Sequence, residues 1–532
     1  MTEVAHPPQD VAVHPPRDIF ARHADGSRVL SVADIIRRRA AATPGLVAVI
    51  EPDRSTTFGA LDERSSRVGQ ALIAAGVHPG DRVAYIGANA PEFLEVLYGA
   101  TKAGAVATAV NNRLAGPEIA AILADAQPAV LVVDDARLVP PDHDVPLVVT
   151  TGAEYDAWLS TVDGTDPAVP AGPDETAVIF YTSGTTGRPK GIMLSGDNLG
   201  QALATMHYDM ELTTTSVAMA PIPYFHISGL GLALVANLNG AALLLETPKS
   251  TAGHEELITL LSARRVSHAA VVPTILQTLL NHPRTRETDW TALRYLVYGA
   301  MPIPLPVIQQ ATEVFGCKFL QSYGLTESTG GVTVLWPEDH LPPPGKERRL
   351  RSVGRPMPGV EVRIVDPATL EDLPAGRSGE VLIGGGHLMR GYWRRPAETA
   401  ATLIGGWLRT GDGGSFDEDG YLYLHDRIKD MIVSGGENVY PAEVESVLSG
   451  HPDVAEVAVV GVPSQRWGES PVAVVVPREG HTPDEAEMIA WCRTRLAHFK
   501  CPVAVRMAPR LPRNASGKLL KHVLRTEVAG PR

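Results

Sequence analysis

From Val32 onward, apolar positions alternate between helical spacing and short continuous runs. Arg67 to Ala75 reads as a helix closed by Gly76, and Arg82 to Ile86 as a short buried strand. The alternation continues to about residue 330 and predicts largely parallel sheets covered by helices. Beyond Gly354 the texture changes to short strands between Gly and Asp turns, at Val360 to Val365, Gly379 to Ile383 and Gly420 to Leu424. The last hundred or so residues read as a separate unit. Pro441 opens a helix and Gly450 closes it. Val457 to Val460 and Val472 to Val476 follow as apolar strands. Thr482-Pro483-Asp484-Glu485 then offers a capping box to a helix with Met488, Ile489, Cys492 and Leu496 on one face.

The expected fold class is therefore α/β. A large N-terminal domain of mixed αβ layers carries a small β-rich subdomain at about 350–425, and a small α+β C-terminal domain follows. Residues 1–28 are expected to be a flexible arm, 29–428 the N-terminal domain and 429–532 the C-terminal domain. The hinge is placed in the charged run Asp426-Arg427-Ile428-Lys429-Asp430.

Composition narrows the class. Of 532 residues, 44% are hydrophobic and 20% charged, which describes a globular chain long enough for several cores. The formal net charge is -13 and no basic run exceeds Arg37-Arg38-Arg39, so no nucleic-acid partner is expected. Anionic ligands must then be held by local cations rather than by the field of the whole chain. Cys317, Cys492 and Cys501 have no CxxC spacing and read as buried thiols in a reducing compartment. His6-Pro7-Pro8 and His14-Pro15-Pro16 replace any apolar signal core. The longest apolar stretch, Gly229 to Leu245, is broken by Asn237, Asn239 and glycines, and reads as core rather than a transmembrane span. A cytoplasmic location is expected.

The sharpest chemical segment is Tyr181-Thr182-Ser183-Gly184-Thr185-Thr186-Gly187-Arg188-Pro189-Lys190-Gly191. Apolar residues flank it on both sides, so strand–loop–strand is expected. Its glycines let backbone N–H groups converge, and four Ser/Thr hydroxyls and an ammonium add donors, which suits a triphosphate. The order is not GxxxxGK[ST], which sets aside a P-loop phosphotransferase.

This segment resembles the phosphate loop of the adenylate-forming superfamily, in its branch of acyl-CoA synthetases and fatty-acid–CoA ligases. Further stretches fall in that family's order: Gly299-Ala300-Met301-Pro302, Gln321-Ser322-Tyr323-Gly324-Leu325-Thr326-Glu327, Arg409-Thr410-Gly411-Asp412, Asp426 to Asp430, Ser434-Gly435-Gly436-Glu437-Asn438 and Asn514-Ala515-Ser516-Gly517-Lys518. The resemblance implies an ATP-dependent carboxylic acid–CoA ligase that uses Mg²⁺ and coenzyme A. For ATP and AMP it implies Thr182, Ser183, Gly184, Thr185, Thr186, Gly187 and Lys190 at the phosphates. Gly299, Ala300, Met301, Ser322, Tyr323 and Gly324 are implied at adenine, where the Tyr323 ring can stack, and Asp412 and Arg427 at the ribose. Glu327 offers a hard carboxylate to Mg²⁺ and Thr326 a hydroxyl to the α-phosphate. Ser434, Gly435, Gly436 and Trp467 are implied for coenzyme A, and Lys429 as the hinge of a mobile C-terminal domain. Of nine lysines, Lys190, Lys429 and Lys518 fall on motif positions, which argues against surface lysines there.

The implied reaction has two halves. The substrate carboxylate attacks the α-phosphate of ATP, giving acyl-AMP and pyrophosphate, with Lys518 and the phosphate loop neutralising charge. The C-terminal domain then swings about Lys429, removes Lys518 and brings in Gly435-Gly436, and a thiol expels AMP.

In this family Pro221-Ile222-Pro223-Tyr224-Phe225-His226-Ile227-Ser228-Gly229 lines the carboxylate pocket. Amino-acid-activating members place an aspartate where His226 stands, and no acidic residue occurs between Ala218 and Leu245. A buried substrate ammonium would lack a partner. An apolar acid is therefore expected. Gly229, Gly231, Gly330 and Gly331 are expected to leave room for a medium or long acyl chain, with an aryl acid as the alternative. His226 is a candidate gate or thiolation residue, or a packed, hydrogen-bonded one. Gly196-Asp197 departs from the family's His-Arg pair and is expected to alter the outer wall of the acid pocket. A carrier-protein thiol as acceptor, a homodimer and peripheral membrane contact stay open. A non-catalytic relative would be expected to lose Lys518 or Glu327, and both are present.

Overall fold

The computed structural model describes residues 21–22, 28–29, 31–183, 189–245, 254–299, 303, 305–427, 430, 432–434, 437–439, 441–464, 468–513 and 519–529. At the end of the expected arm, Ala21–Arg22 pairs antiparallel with Arg28–Val29, which runs one residue past it.

Two large sheets build the N-terminal part. The first runs, edge to edge, Gly391–Tyr392, Pro189–Ser195, Thr176–Ser183, Val106–Val110, Arg82–Ile86, Val130–Val133 and Leu147–Thr150. All its pairings are parallel except those of Pro189–Ser195 with its two neighbours. The second has nine strands, from Arg355–Pro356 through Gly330–Leu335, Lys318–Leu325 and Tyr295–Gly299 to Ser55–Thr57 at the far edge. Here too the centre is parallel and only the margins are antiparallel. Helices such as Pro91–Lys102 and Ile227–Asn239 cover the sheets, and one core of buried Val, Leu, Ile and aromatic residues joins both.

A third, five-stranded antiparallel sheet holds Glu361–Val365, Gly379–Gly384 and Trp407–Phe416, with Leu422–Arg427 paired to the last. The C-terminal unit has its own sheet, centred on the long pair Val454–Ser464 and Gly468–Pro477. Its core is separate and includes Ile432, Val444, Leu448, Val475, Met488 and Cys492.

Several expectations need correction. The helix expected from Arg67 begins at Phe58, capped by Thr57, whose hydroxyl accepts from the Ala60 N–H at 3.2 Å. Its core face includes Ser65 and Ser66, whose hydroxyls donate to the Asp62 carbonyl at 2.9 and 2.8 Å. Those buried polar residues hide the period. The fully buried Lys102 sits beside them, its ammonium donating to Asp62 Oδ1 at 2.6 Å and to Ser66 Oγ at 2.8 Å. The capping box at Thr482 does not form. The helix is Glu485–Arg493, capped by Asp484 accepting from the Glu487 N–H, while Glu485 accepts from the Val505 N–H. Leu496 lies past its end. All three cysteines are free, and Cys317, on the turn before Lys318–Leu325, is only half-buried. Gly229 to Leu245 is core, as expected, and no helix of the described residues is long and apolar enough to cross a membrane.

Candidate active site

The Gly/Ser/Thr-rich segment is a β-hairpin, as its flanking apolar runs predict. Thr176–Ser183 and Pro189–Ser195 pair antiparallel, with Thr182 opposite Lys190. Gly184, Thr185, Thr186 and Gly187 lie outside the described residues, as does the Ser183 side chain. Gly191 must be small because a Cβ there would stand 2.9 Å from Ile179 Cγ2.

One strand of the second sheet carries the next candidates. Ser322, Tyr323 and Gly324 end the strand Lys318–Leu325, and Ser322 stands in register with Gly299 on the neighbouring strand. The 3-10 turn Thr326–Ser328 begins where this strand stops, with Ser328 Oγ accepting from the Leu325 N–H at 2.9 Å. That turn holds Thr326 and Glu327 half-buried at the strand's end. Ala300 and Met301 lie outside the described residues.

The third sheet supplies Asp412. Thr410 Oγ1 donates to the Val381 carbonyl at 2.7 Å and accepts from the Asp412 N–H at 3.0 Å. Gly411, at φ +68°, makes the turn between them. Arg409 is anchored on the buried Glu380, which holds the guanidinium above its ordinary value. Asp412 stands directly across from Arg427 in the antiparallel pair, and its Oδ2 accepts from the Tyr323 hydroxyl at 2.8 Å. Two motifs distant in sequence thus meet at one carboxylate, and the backbone of a third stands across from it. The Arg427 side chain and all of Lys429, Gly435, Gly436, Trp467 and Lys518 lie outside the described residues, while Ser434 is buried in the C-terminal sheet.

A residue that sequence reasoning missed ties the phosphate hairpin to Glu327. Tyr392 pairs with Ile192, and its hydroxyl donates to Glu327 Oε1 at 3.0 Å. Burial and the Glu327 carboxylate raise the Tyr392 hydroxyl well above the tyrosine range, so it stays a donor. The only signal in the sequence was an aromatic pair, Tyr392-Trp393, after Gly391. Among the described residues no group of three or more His, Cys, Asp or Glu converges to hold a metal ion. A lone carboxylate beside Thr326 instead suits magnesium arriving with phosphate oxygens, its usual way of binding.

The stretch Pro221 to Gly229 is bolted to the first sheet by Asn89, another residue missed. Its amide donates to the Ile222 carbonyl at 2.9 Å and accepts from the Tyr224 N–H at 2.8 Å. His226 caps the helix Ile227–Asn239, its ring 4.7 Å from that of Phe225. Burial, and secondarily the Arg113 charge, lower its imidazole to about 4, so it is neutral at pH 7. The glycines behave differently from expectation. A Cβ on Gly229 would meet the Pro223 and Ile222 carbonyls at 2.5 and 2.6 Å, and one on Gly331 would meet Ser322 Oγ at 2.2 Å. These two are small because backbone and hydroxyl crowd them. Gly231 has nothing within 4 Å, and Gly330 meets only Ile227 Cγ1 at 3.7 Å. Asp197 accepts from the Gln201 amide at 2.6 Å and lines a cleft with Ser31, Thr101 and Glu175, to which no residue of Pro221 to Gly229 contributes.

Comparison with known proteins gives the family. The model of the AMP-binding enzyme family matches residues 36–393, and that of the AMP-binding enzyme C-terminal domain matches 443–518. A feruloyl-CoA synthase from an Amycolatopsis species is 39% identical over 92% of this chain and 97% of its own. A fatty acid–[acyl-carrier-protein] ligase, ScoC, from Streptomyces coeruleorubidus is 38% identical over 92% and 94%. The solved structure of a Mycobacterium tuberculosis fatty acyl CoA synthetase superposes with a TM-score of 0.75 at 35% identity, covering 94% of this chain and 98% of that one. The chain belongs to the AMP-binding enzyme family, in the acyl-CoA synthetase branch of the adenylate-forming superfamily, and is an AMP-forming acid–thiol ligase.

Proposed function

We propose that this enzyme couples an apolar carboxylic acid to coenzyme A through an acyl-AMP intermediate. The observation that carries the substrate class is the neutral lining of the acid pocket. His226 is uncharged at pH 7, and no carboxylate occurs between Ala218 and Leu245. A free amino acid would leave its ammonium unpaired there. A medium- or long-chain fatty acid is the first reading, supported by the open space at Gly231. An aryl acid is the second, favoured by the 39% identity to a feruloyl-CoA synthase.

In this reading Tyr323 stacks on adenine, Asp412 and Arg427 take the ribose hydroxyls, and Thr182, Ser183 and Lys190 take phosphate oxygens. Thr326 donates to the α-phosphate, and Glu327 would hold a magnesium ion, which would supply positive charge to the phosphates. Lys518 offsets the approach of carboxylate to phosphate, since two anions meet there. Lys429 is the hinge that afterwards replaces Lys518 by Ser434, Gly435, Gly436 and Trp467 on the coenzyme A path.

The test is pyrophosphate release over a panel of fatty, aryl and amino acids, with and without coenzyme A. Release with fatty acids and thioester formation with coenzyme A is expected. Release with amino acids alone would overturn the substrate class. Acyl transfer only to a carrier protein would overturn the acceptor, an outcome that the 38% identity to ScoC makes worth including.

A further inference from the structure

The ammonium of Lys190 is already engaged. It pairs with Glu398 Oε2 and stands 5.1 Å from the centroid of the Tyr392 ring. Both partners belong to one tightly braced segment. The Arg390 and Trp393 N–H groups donate to the Met193 and Gly191 carbonyls at 2.9 and 2.7 Å, on the strand that carries Lys190. The Tyr392 N–H donates to Thr399 Oγ1 at 2.9 Å, tying this strand to the helix Pro396–Thr402. Arg395 lies 3.8 Å from Glu398 Oε1 and 3.4 Å from Asp125 Oδ1, which fixes the base of that helix.

The pair has an evident electrostatic cause. Lys190 is only 19% exposed, and a mostly buried ammonium is costly without a counter-charge. Glu398 is 40% exposed, so its carboxylate can turn into water without a large penalty. A triphosphate brings several negative charges to the same ammonium. Carboxylate and phosphate would then repel each other across one lysine.

We propose that Glu398 is a stand-in anion for the triphosphate: it neutralises Lys190 when the nucleotide is absent and is displaced by the phosphates beyond the α position. The inference rests on the reading of Lys190 as a phosphate ligand. Glu398 then sets the affinity for ATP and pyrophosphate without touching that for AMP, which has no phosphate to compete with it. Once pyrophosphate is formed, return of the carboxylate to Lys190 favours its departure.

The experiment is equilibrium titration with ATP and magnesium, without any acid, and separately with AMP. Wild type, Glu398→Gln, Lys190→Ala and the double variant are compared. Glu398→Gln is expected to bind ATP roughly two- to fivefold more tightly, the scale of a partly exposed ion pair, with AMP affinity unchanged. Lys190→Ala is expected to weaken ATP binding, and adding Glu398→Gln to it should change nothing further. Unchanged or weaker ATP binding by Glu398→Gln, with Lys190→Ala weakened as expected, overturns the stand-in role alone. Unchanged ATP binding by Lys190→Ala overturns the phosphate-ligand reading and this inference with it.

Discussion

The Tyr323 hydroxyl donates to Asp412 Oδ2 at 2.8 Å, joining the second large sheet to the β-rich sheet at one carboxylate. The bond fixes the rotation of the carboxylate that is proposed to receive the ribose hydroxyls. Tyr323→Phe keeps the ring and loses the donor. AMP affinity is expected to fall about tenfold, as for loss of a hydrogen bond to a charged group. Tyr323→Leu should lose more. Calorimetric titration with AMP checks both, and a Phe variant that binds like wild type would remove the positioning role.

Glu327 offers one oxygen to Tyr392 and is proposed to offer the other to magnesium. Glu327→Gln keeps the shape and the bond to Tyr392 but removes the charge. Activity should fall, and the magnesium needed for half-activity should rise by about tenfold. Tyr392→Phe should raise it less. A magnesium titration unchanged by Glu327→Gln would refute the assignment.

The phosphate hairpin was legible because apolar runs flank a polar, glycine-rich turn, a pattern that short-range rules decode. Motif order alone placed Asp412 and Arg427 at one ribose, while the Asp417 to Gly420 turn between their strands is a local hairpin signal that accounts for their pairing. Glu398, Asn89 and Glu380 were not legible, and Tyr392 left no more than an aromatic pair. Each acts on a partner far along the chain, and each taken alone looks like an ordinary surface or core residue. Gly229 was misread for another reason. A glycine that leaves space and one that avoids a clash are the same letter, and only the nearby Pro223 carbonyl separates them.

Lys518 and Gly436 lie on the C-terminal part, yet they are proposed to serve different halves of the reaction. Lys518→Ala should lose adenylation by roughly a hundredfold, as when a transition-state donor is removed. It should still convert synthetic acyl-AMP and thiol to thioester. Gly436→Leu should release pyrophosphate once and stall. Pyrophosphate burst and thioester assays on both variants check this, and equal failure in both assays would point to misfolding.

Three buried histidines predict how stability depends on pH. His268, His340 and His387 are each lowered from 6.5 to about 4, chiefly by burial. His340 shows why neutrality is built in. Its Nδ1 lies 2.8 Å from the Trp336 carbonyl, to which it can donate, and its Nε2 lies 3.0 Å from the Tyr298 hydroxyl, from which it can accept. Between pH 6.5 and 4 the unfolded chain binds protons that the folded chain refuses. Their stabilisation is therefore complete above pH 6.5 and declines as pH falls towards 4, by about 2 kcal/mol for each at pH 5. Urea midpoints at pH 7 and pH 5 should show this loss. His340→Gln should flatten the slope, whatever the carboxylates add.

Two glycines on one helix should respond to alanine with opposite signs. Gly229 and Gly231 both lie in Ile227–Asn239, where glycine costs about 1 kcal/mol relative to alanine through lost backbone entropy. At Gly231 a methyl group enters open space, so Gly231→Ala should stabilise the fold by about 0.5–1 kcal/mol. At Gly229 the same methyl would stand 2.5 and 2.6 Å from two carbonyl oxygens of the loop that Asn89 holds in place. Neither backbone oxygen can rotate aside. Gly229→Ala should therefore destabilise by about 1–3 kcal/mol, the range for overpacking, despite the gain in helix propensity. Because that loop carries Tyr224 and His226, its displacement should also raise KM for the acid, while ATP binding without acid stays unchanged. Denaturant unfolding of the two variants measures the signs. If Gly229→Ala were as stable as Gly231→Ala, the carbonyl contacts would not be what selects glycine at 229, and the space-for-substrate reading would regain its place there.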